Sequence, residues 1–106
     1  MNDALITFVY VSDLDRAAAF YGDGLGLELV TVQPTCRIFR VTDGGHLGVC
    51  AGGRPVSPEG CILTLVRDDV EAFCEELVQR GVELEQAPAH HDDFGITHAF
   101  LSLIHI

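Results

Sequence analysis

The amino-acid sequence predicts an α+β fold made of two βαβββ modules. Three observations lead to this prediction. Short β-branched and aromatic segments, which are typical of strands, alternate with two amphipathic helical stripes. Each stripe follows an aspartate, a residue suited to the N-cap of a helix. Each ends at a glycine that leads into another strand, as a glycine in the left-handed conformation ends many helices.

The first module is expected over about residues 4–51. Residues 4–11 predict a strand, and Ser12-Asp13 offers the cap of a helix that stops in the glycine-rich segment 22–26. The apolar stripe of this helix is spaced i, i+3, i+4, i+7 and consists of Leu14, Ala17, Ala18 and Tyr21. Two or three strands should follow, at about 27–32, 36–41 and 46–50, with a turn at Asp43-Gly44-Gly45 between the last two.

Residues 52–60 contain three glycines and two prolines, which excludes a helix or a central strand and predicts a linker. The second module is expected over about 61–106. Its predicted elements are a strand at 61–66, a helix capped by Asp68-Asp69 and ended by Gly81, a strand opening at 82–84, a polar loop at 86–95 and a strand from Ile96. The helical stripe consists of Val70, Phe73, Cys74 and Leu77.

The two modules resemble each other, which favours an internal duplication. The two helical stripes match at a constant offset of 56 residues. The exits Gly26-Leu27-Glu28-Leu29 and Gly81-Val82-Glu83-Leu84 match at an offset of 55, so the second module has one residue fewer in between. The 106 residues suffice for one compact domain, in which the two modules form halves.

Charge and cysteine content exclude several classes of function. The chain has six arginines, no lysine and a formal net charge of −10, so nucleic acid and anionic membranes are poor partners, while cationic or neutral small molecules remain open. The four cysteines contain no C-x-x-C motif, and most lie in apolar stretches that predict buried, unpaired thiols. Neither a signal peptide nor a membrane span is expected, and a reducing cytoplasm is the predicted location.

Several motifs together resemble the vicinal oxygen chelate superfamily, which contains glyoxalases, bleomycin-resistance proteins and extradiol dioxygenases. They are Val11-Ser12-Asp13-Leu14, Phe20-Tyr21, Leu25-Gly26-Leu27, Asp68-Asp69-Val70-Glu71-Ala72-Phe73 and Asp93-Phe94-Gly95-Ile96. The resemblance covers residues 4–100. It implies that the paired modules form curved mixed sheets around one cleft, with the helices outside, and that a small molecule binds in this cleft.

The metal site of the superfamily does not carry over to this chain. The resemblance places two histidine ligands at positions where this sequence has Ile6 and Ile62, and isoleucine cannot coordinate a metal. The third ligand position falls near His46 and Gly48, and the turn that precedes the fourth ligand is missing after Phe100. No cofactor is therefore favoured. A divalent metal held by an unconventional set, His46, His98 and His105, is the alternative.

Strand alternation predicts the residues that contact a ligand. Ile6, Phe8 and Tyr10 share one face of the first strand, and the resemblance turns this face towards the cleft. Ile62 and Thr64 are the corresponding residues of the second module. The predicted ligand-binding set is completed by three residues of later strands, Phe39, His98 and Phe100.

The last six residues, Leu101–Ile106, resemble the translation of a transposon-end sequencing adapter. They predict a truncated metagenomic gene whose final hairpin is incomplete. An exposed sheet edge should then favour a homodimer or strand exchange between two copies.

Three functions remain open at this stage. The first is a small-molecule binding protein without the usual metal, whose apolar and aromatic cleft would take a cationic, partly aromatic ligand. The second is a metal-dependent lyase, isomerase or dioxygenase, in which the metal would polarise a carbonyl or enediolate. The third is a non-catalytic dimerising module. Stoichiometric metal, saturable ligand binding or the absence of both would distinguish them.

Overall fold

A computed structural model of the protein describes residues 3–56, 62–91 and 96–101. The chain folds into two compact units that meet in sequence between Thr64 and Leu65. Each combines one helical segment with strands, which confirms the predicted α+β class. No helix in the described residues is long and apolar enough to cross a membrane.

The first unit contains a complete βαβββ arrangement. Its elements are β1 (Leu5–Tyr10), α1 (Leu14–Ala19), a π-helical turn (Phe20–Gly24), β2 (Glu28–Gln33), β3 (Cys36–Thr42) and β4 (Gly45–Cys50). The four strands form one mixed sheet in the order β1-β4-β3-β2. β1 runs parallel to β4, while the other neighbours are antiparallel. These strands agree with the predicted ones to within one or two residues.

The core of the first unit lies on one face of this sheet. Phe39 and Leu47 are register partners on β3 and β4, and both are at least 95% buried. The ring centroids of Phe39 and Tyr21 are 6.3 Å apart. A Cβ at Gly22 would lie 3.3 Å from Cε1 of Phe39, so a residue without a side chain allows the helical turn to approach this ring. Together with Ala17, which is fully buried, these contacts hold the helix against the sheet.

The start and end of α1 follow the predicted signals. The carboxylate of Asp13 accepts a hydrogen bond from the backbone N–H of Arg16 at 3.1 Å, which is N-cap geometry. After Ala19 the helix widens into a π turn, in which Leu25 N–H donates to Phe20 C=O at 2.9 Å, five residues earlier. The chain then reverses at Gly26, whose φ of 78° is unfavourable for any residue with a Cβ.

The second unit contains α2 (Val70–Gln79) and a two-stranded antiparallel sheet of β5 (Leu84–His91) and β6 (Ile96–Leu101). The carboxylate of Asp69 caps α2 by accepting a hydrogen bond from Ala72 N–H at 3.0 Å. α2 packs against both strands, and Cys74 and Leu77 are the buried residues of its predicted stripe. Arg67 lies over the ring of Phe73, 4.3 Å from its centroid.

Two sequence predictions for the second half of the chain are wrong. Residues 62–66 form no strand, and Ile62 and Val66 are 82% and 89% exposed. A strand requires a hydrogen-bonding partner, and none of the described strands pairs with this segment. The predicted loop at 86–95 is also too long, because β5 continues through Pro88 to His91. Pro88 lies where the register of β5 against β6 shifts, which is where a strand tolerates proline. Residues 92–95 and 102–106, which include His105, lie outside the described part.

Candidate functional site: the open face of the first sheet

The sheet of the first unit has a second face, opposite the helix. Ile6, Phe8 and Tyr10 lie on it, as the alternation of β1 predicts. Ile6 is 40% exposed, Phe8 is 50% exposed and Tyr10 is half-buried. We call this surface the ligand face. Its residues are Ile6, Phe8 and Tyr10 of β1, Ile38 and Arg40 of β3, and His46, Gly48 and Cys50 of β4.

Register pairing explains how the ligand face is assembled. The parallel pairing of β1 with β4 places His46 beside Ile6, Gly48 beside Phe8, and Cys50 beside Tyr10. The ring of Phe8 lies over the backbone of Gly48, where a Cβ would overlap its edge. The absence of a side chain at position 48 therefore provides the space that the Phe8 ring occupies. The result is an aromatic ring that is seated on the sheet and still half open to solvent.

His46 supplies a polar group beside the apolar residues of this face. Its Nδ1 is buried and has no hydrogen-bond partner in the described chain. A buried nitrogen without a partner is energetically costly, by about 1–3 kcal/mol, and a ligand removes this cost once the imidazole turns its Nδ1 towards the surface. Depending on its tautomer, Nδ1 can donate or accept a hydrogen bond.

Arg40 is the β3 residue of the ligand face that pairs with His46, on the side of His46 away from Ile6. Its Nε lies 3.7 Å from Oε1 of Glu28 on the neighbouring strand β2. Both side chains are exposed, so this ion pair contributes little to stability. Its effect on the site is electrostatic: Glu28 offsets the positive charge that Arg40 would otherwise present at this edge.

Phe39 does not lie on the ligand face, which corrects its assignment to the predicted ligand-binding set. It pairs with Leu47, and both side chains lie on the helix side of the sheet. Phe39 is 1% exposed and packs with Tyr21, so it is a core residue. Its neighbour Ile38, which pairs with Gly48, occupies the face that was expected for Phe39.

The residues predicted from the second half of the chain are not assembled into a site by the described structure. Ile62 and Thr64 are exposed in a segment without regular structure. His98 lies on β6 opposite Ala89 and is half-buried. Phe100 belongs to β6 and pairs with Gln86. Their participation in ligand binding stays a prediction.

The residues of the ligand face do not fit a metal ion of the kind that the superfamily binds. Ile6 has no donor atom, its register partner His46 offers one nitrogen, and the next residue in that row, Arg40, is a cation. Zinc and related ions require three or more convergent protein donors. Within residues 3–56, 62–91 and 96–101, no group of three His, Cys, Asp or Glu side chains is arranged to hold a metal. We therefore derive no chemical step through a metal.

One feature of this face was not predicted from the sequence. Cys36 and Cys50, at the open end of the β3–β4 hairpin, form a disulfide rather than remaining unpaired thiols. The sequence does contain a signal for this pair, since the two cysteines stand equally far from Asp43, in the predicted turn. Cys74 is free and buried, as expected, and burial raises the pKa of its thiol above the ordinary value of 9.0.

An open cavity of about 530 Å³ lies in the second unit, between α2 and β5. Its lining includes Glu71, Cys74, Glu75, Val78, Leu84 and Pro88. Acidic side chains beside a neutral thiol and hydrocarbon provide no convergent set of polar groups, so this cavity is a weaker candidate than the ligand face.

Comparison with solved structures supports the fold over nearly the whole chain. TioX from Micromonospora sp. ML1 matches with a TM-score of 0.74 and 18% identity, covering 96% of this chain and 90% of that one. A lactoylglutathione lyase from Agrobacterium tumefaciens matches with a TM-score of 0.67 and 19% identity, over 95% and 85% of the two chains. At these identities the likeness concerns the fold alone.

A glyoxalase/bleomycin resistance protein from Streptomyces sp. CB03234 is 32% identical, with a TM-score of 0.62 and coverage of 84% of this chain and 82% of that chain. None of the curated proteins matches this chain. The family model of the glyoxalase/bleomycin resistance protein/dioxygenase superfamily matches residues 4–102, which confirms the resemblance seen in the sequence motifs. The chain therefore belongs to the glyoxalase/bleomycin resistance protein/dioxygenase superfamily.

Proposed function

We propose that this protein binds a cationic, partly aromatic small molecule on the ligand face of its first unit, without the divalent metal of related proteins. The observation that carries the proposal is the position of Phe8, which is seated over Gly48 and yet 50% exposed. A large aromatic side chain usually lies in the core, and an exposed apolar patch commonly marks a binding surface. Phe8 is thus preorganised for stacking against a planar ligand.

The spacing of β1 indicates the size of the ligand. Side chains on one face of a strand recur every two residues, so Ile6 and Tyr10 are about 13 Å apart along the strand. Three fused rings, with the central ring over Phe8, would reach towards both of these residues. The imidazole of His46 and the hydroxyl of Tyr10 offer polar anchors near the two ends of the stripe.

The charge of the protein supports a cationic ligand. The formal net charge is −10, and a field of this sign raises the local concentration and association rate of cations. Arg40 is the cation nearest to His46 in register, and its ion pair with Glu28 reduces the repulsion at this end of the face. Anionic analogues of the same ring system should bind more weakly.

The same proposal includes the finer predictions about the protein's setting. We propose a homodimer, because β1 lies at the edge of the first sheet and carries Leu5, which is 70% exposed. Light scattering coupled to size exclusion tests this directly. A cytoplasmic location also remains part of the proposal, and ligands would then be cytosolic compounds.

Titration with proflavine, a planar tricyclic cation, tests the binding proposal. Proflavine fluorescence or calorimetry should show saturable binding, whereas fluorescein, an anionic tricyclic dye, should bind at least about tenfold more weakly. Phe8→Ala should weaken proflavine binding about tenfold, the effect of losing one stacked aromatic contact. Val32→Ala is the matched control, because Val32 is an exposed apolar residue of the same sheet and pairs with Arg37, which lies on the same face as Phe39, opposite the ligand face.

Equal losses in the two variants, or no saturable binding of any cationic aromatic compound at millimolar concentration, would contradict the proposal. Elemental analysis of protein purified without a histidine tag or a chelator is the companion measurement. About one transition metal per chain would instead favour the metal-dependent alternative, in which His46 would be the first residue to mutate.

A further inference from the structure

The disulfide between Cys36 and Cys50 borders the ligand face. Cys36 is the first residue of β3 and Cys50 the last residue of β4, and the two are register partners with Cα atoms 4.2 Å apart. This spacing corresponds to a pair of antiparallel residues that are not hydrogen-bonded to each other, whose side chains approach most closely. Cys50 is in turn the register partner of Tyr10 on β1. The disulfide and the Tyr10 ring are therefore neighbours on one face of the sheet.

The rest of the hairpin does not depend on this bond. β3 and β4 are joined by a short turn and by a ladder that runs from Cys36 to Thr42, and their core residues lie on the other face. Cleavage of the bond should leave the hairpin paired. It would still change the ligand face, because two thiols that are no longer bonded need more space than a disulfide, and Tyr10 lies beside them.

The two sulfurs differ in accessibility, which defines a route for reduction. Cys36 is half-buried, while Cys50 is 2% exposed. A thiolate of a low-molecular-weight thiol attacks Sγ of Cys36, the S–S bond breaks, and Cys50 leaves as a thiolate that takes up a proton. A second molecule of the thiol then attacks the mixed disulfide and releases Cys36. The protein gains two electrons and two protons, and the small thiol is oxidised to its disulfide.

We propose that Cys36 and Cys50 are a reversible thiol–disulfide site that adjusts the affinity of the ligand face. The oxidised form holds the end of the β3–β4 hairpin and the neighbourhood of Tyr10 in one arrangement, so it binds the ligand more tightly than the reduced form. In a compartment buffered by glutathione such a bond forms and breaks according to the redox state, as disulfides of cytosolic proteins do. The statement about affinity rests on the ligand binding proposed above; the statement about redox chemistry does not.

The test uses a variant in which only this cysteine pair and one tyrosine remain. Cys61→Ser and Cys74→Ala remove the other cysteines, and Tyr21→Phe leaves Tyr10 as the only tyrosine in a protein without tryptophan. In oxidising glutathione buffer the denatured protein should contain no free thiol, and in dithiothreitol it should contain two. Tyr10 fluorescence should rise on reduction, because a neighbouring disulfide quenches a phenol ring, while the circular dichroism stays unchanged. Proflavine affinity should fall about tenfold.

Two further variants separate the possible outcomes. Replacement of both cysteines, Cys36→Ser with Cys50→Ala, should give the weak affinity and abolish the response to redox buffer, whereas Cys74→Ala alone should retain the response. Two thiols in oxidising buffer would overturn the redox proposal whatever the ligand does. Equal affinity of the oxidised and reduced forms would overturn the coupling. Failure of both forms to bind any cationic aromatic compound would overturn the binding proposal and with it the coupling, while the thiol count and the Tyr10 fluorescence still decide whether the redox site exists.

Discussion

The two helices end in related but unequal ways. At the end of α2, Gly81 N–H donates a hydrogen bond to Val78 C=O at 3.0 Å and Val82 N–H donates one to Leu77 C=O at 2.9 Å. These are the two hydrogen bonds of a Schellman motif. After α1, the corresponding bond runs from Leu27 N–H to Tyr21 C=O at 3.1 Å, and it spans one residue more. Both segments then reverse at a glycine with positive φ, Gly26 and Gly81.

This difference accounts for the change in offset between the two halves of the sequence. The helical stripes match at an offset of 56 residues and the glycine exits at an offset of 55. The first half therefore has one more residue between its stripe and its exit than the second half. The π turn at Phe20–Gly24 accommodates that residue within the helix end. The helical stripe before the π turn and the strand after it both correspond to their equivalents in the second half. A helix end can thus accommodate a single inserted residue where glycines permit a wider turn.

Single-residue deletions in the two helical segments should have very different effects, and these are the largest we expect. Deletion of Asp23, which is exposed, shortens the π turn and makes the first exit equivalent to the second. Deletion of Glu75 rotates the end of α2 by about 100° and moves Leu77, which is 1% exposed, out of the core. We expect a loss of unfolding free energy of about 2–5 kcal/mol for the Glu75 deletion and less than about 1.5 kcal/mol for the Asp23 deletion.

Urea unfolding followed by circular dichroism measures both deletions. The Asp23 deletion serves as the control for shortening the chain by one residue. Similar losses in the two proteins would show that the π turn is required for the fold, and the comparison between the exits would then fail.

Removal of the two helix caps should have an intermediate effect that is similar in both units. Asp13→Ala and Asp69→Ala each remove a carboxylate that accepts a backbone N–H, at 3.1 and 3.0 Å. Each should lower the unfolding free energy by about 1 kcal/mol. Asp68→Ala is the matched control, because Asp68 precedes the cap of α2 and is exposed. A cost at Asp68 as large as that at Asp69 would mean that net charge, rather than the cap, accounts for the effect.

The smallest expected effect is a pH dependence that is specific to the second unit. Burial raises the pKa of Cys74 above its ordinary value of 9.0, so the folded state retains the neutral thiol where the unfolded chain ionises. The resulting contribution to stability is complete below the unfolded pKa and is lost as the pH rises through the folded pKa. The urea midpoint of the wild type should therefore fall more between about pH 8 and 10 than that of Cys74→Ala. Parallel curves for the two proteins would contradict this account.

Local signals account for the part of the fold that the sequence predicted well. Aspartate caps, apolar stripes and glycine exits act within a few residues, and they located both helices and the four strands of the first unit. Strand pairing is not local. The segment 62–66 has the composition of a strand and forms none, while the polar segment around Pro88 is a strand because β6 pairs with it.

The ligand face was predicted only where alternation along one strand determines it. Ile6, Phe8 and Tyr10 were placed correctly relative to one another, because a strand alternates its side chains strictly. Phe39 was misplaced because its face depends on the register of β3 against β4, and a shift by one residue reverses every side chain. The pairing of Cys36 with Cys50 depends on the same register.

The cross-strand disulfide also has a consequence for the way this hairpin opens. A β-hairpin normally frays from its free end, where the strands are farthest from the turn. Cys36 and Cys50 join the strands at that end, so the hairpin becomes a closed ring of 15 residues, linked by the turn at Asp43-Gly44 at one end and by the disulfide at the other. Opening of the ladder beside Tyr10 then releases no free strand ends, so it gains less conformational entropy than it would in the reduced hairpin. Oxidation of this one cysteine pair thereby disfavours spontaneous opening at the Tyr10 end of the ligand face.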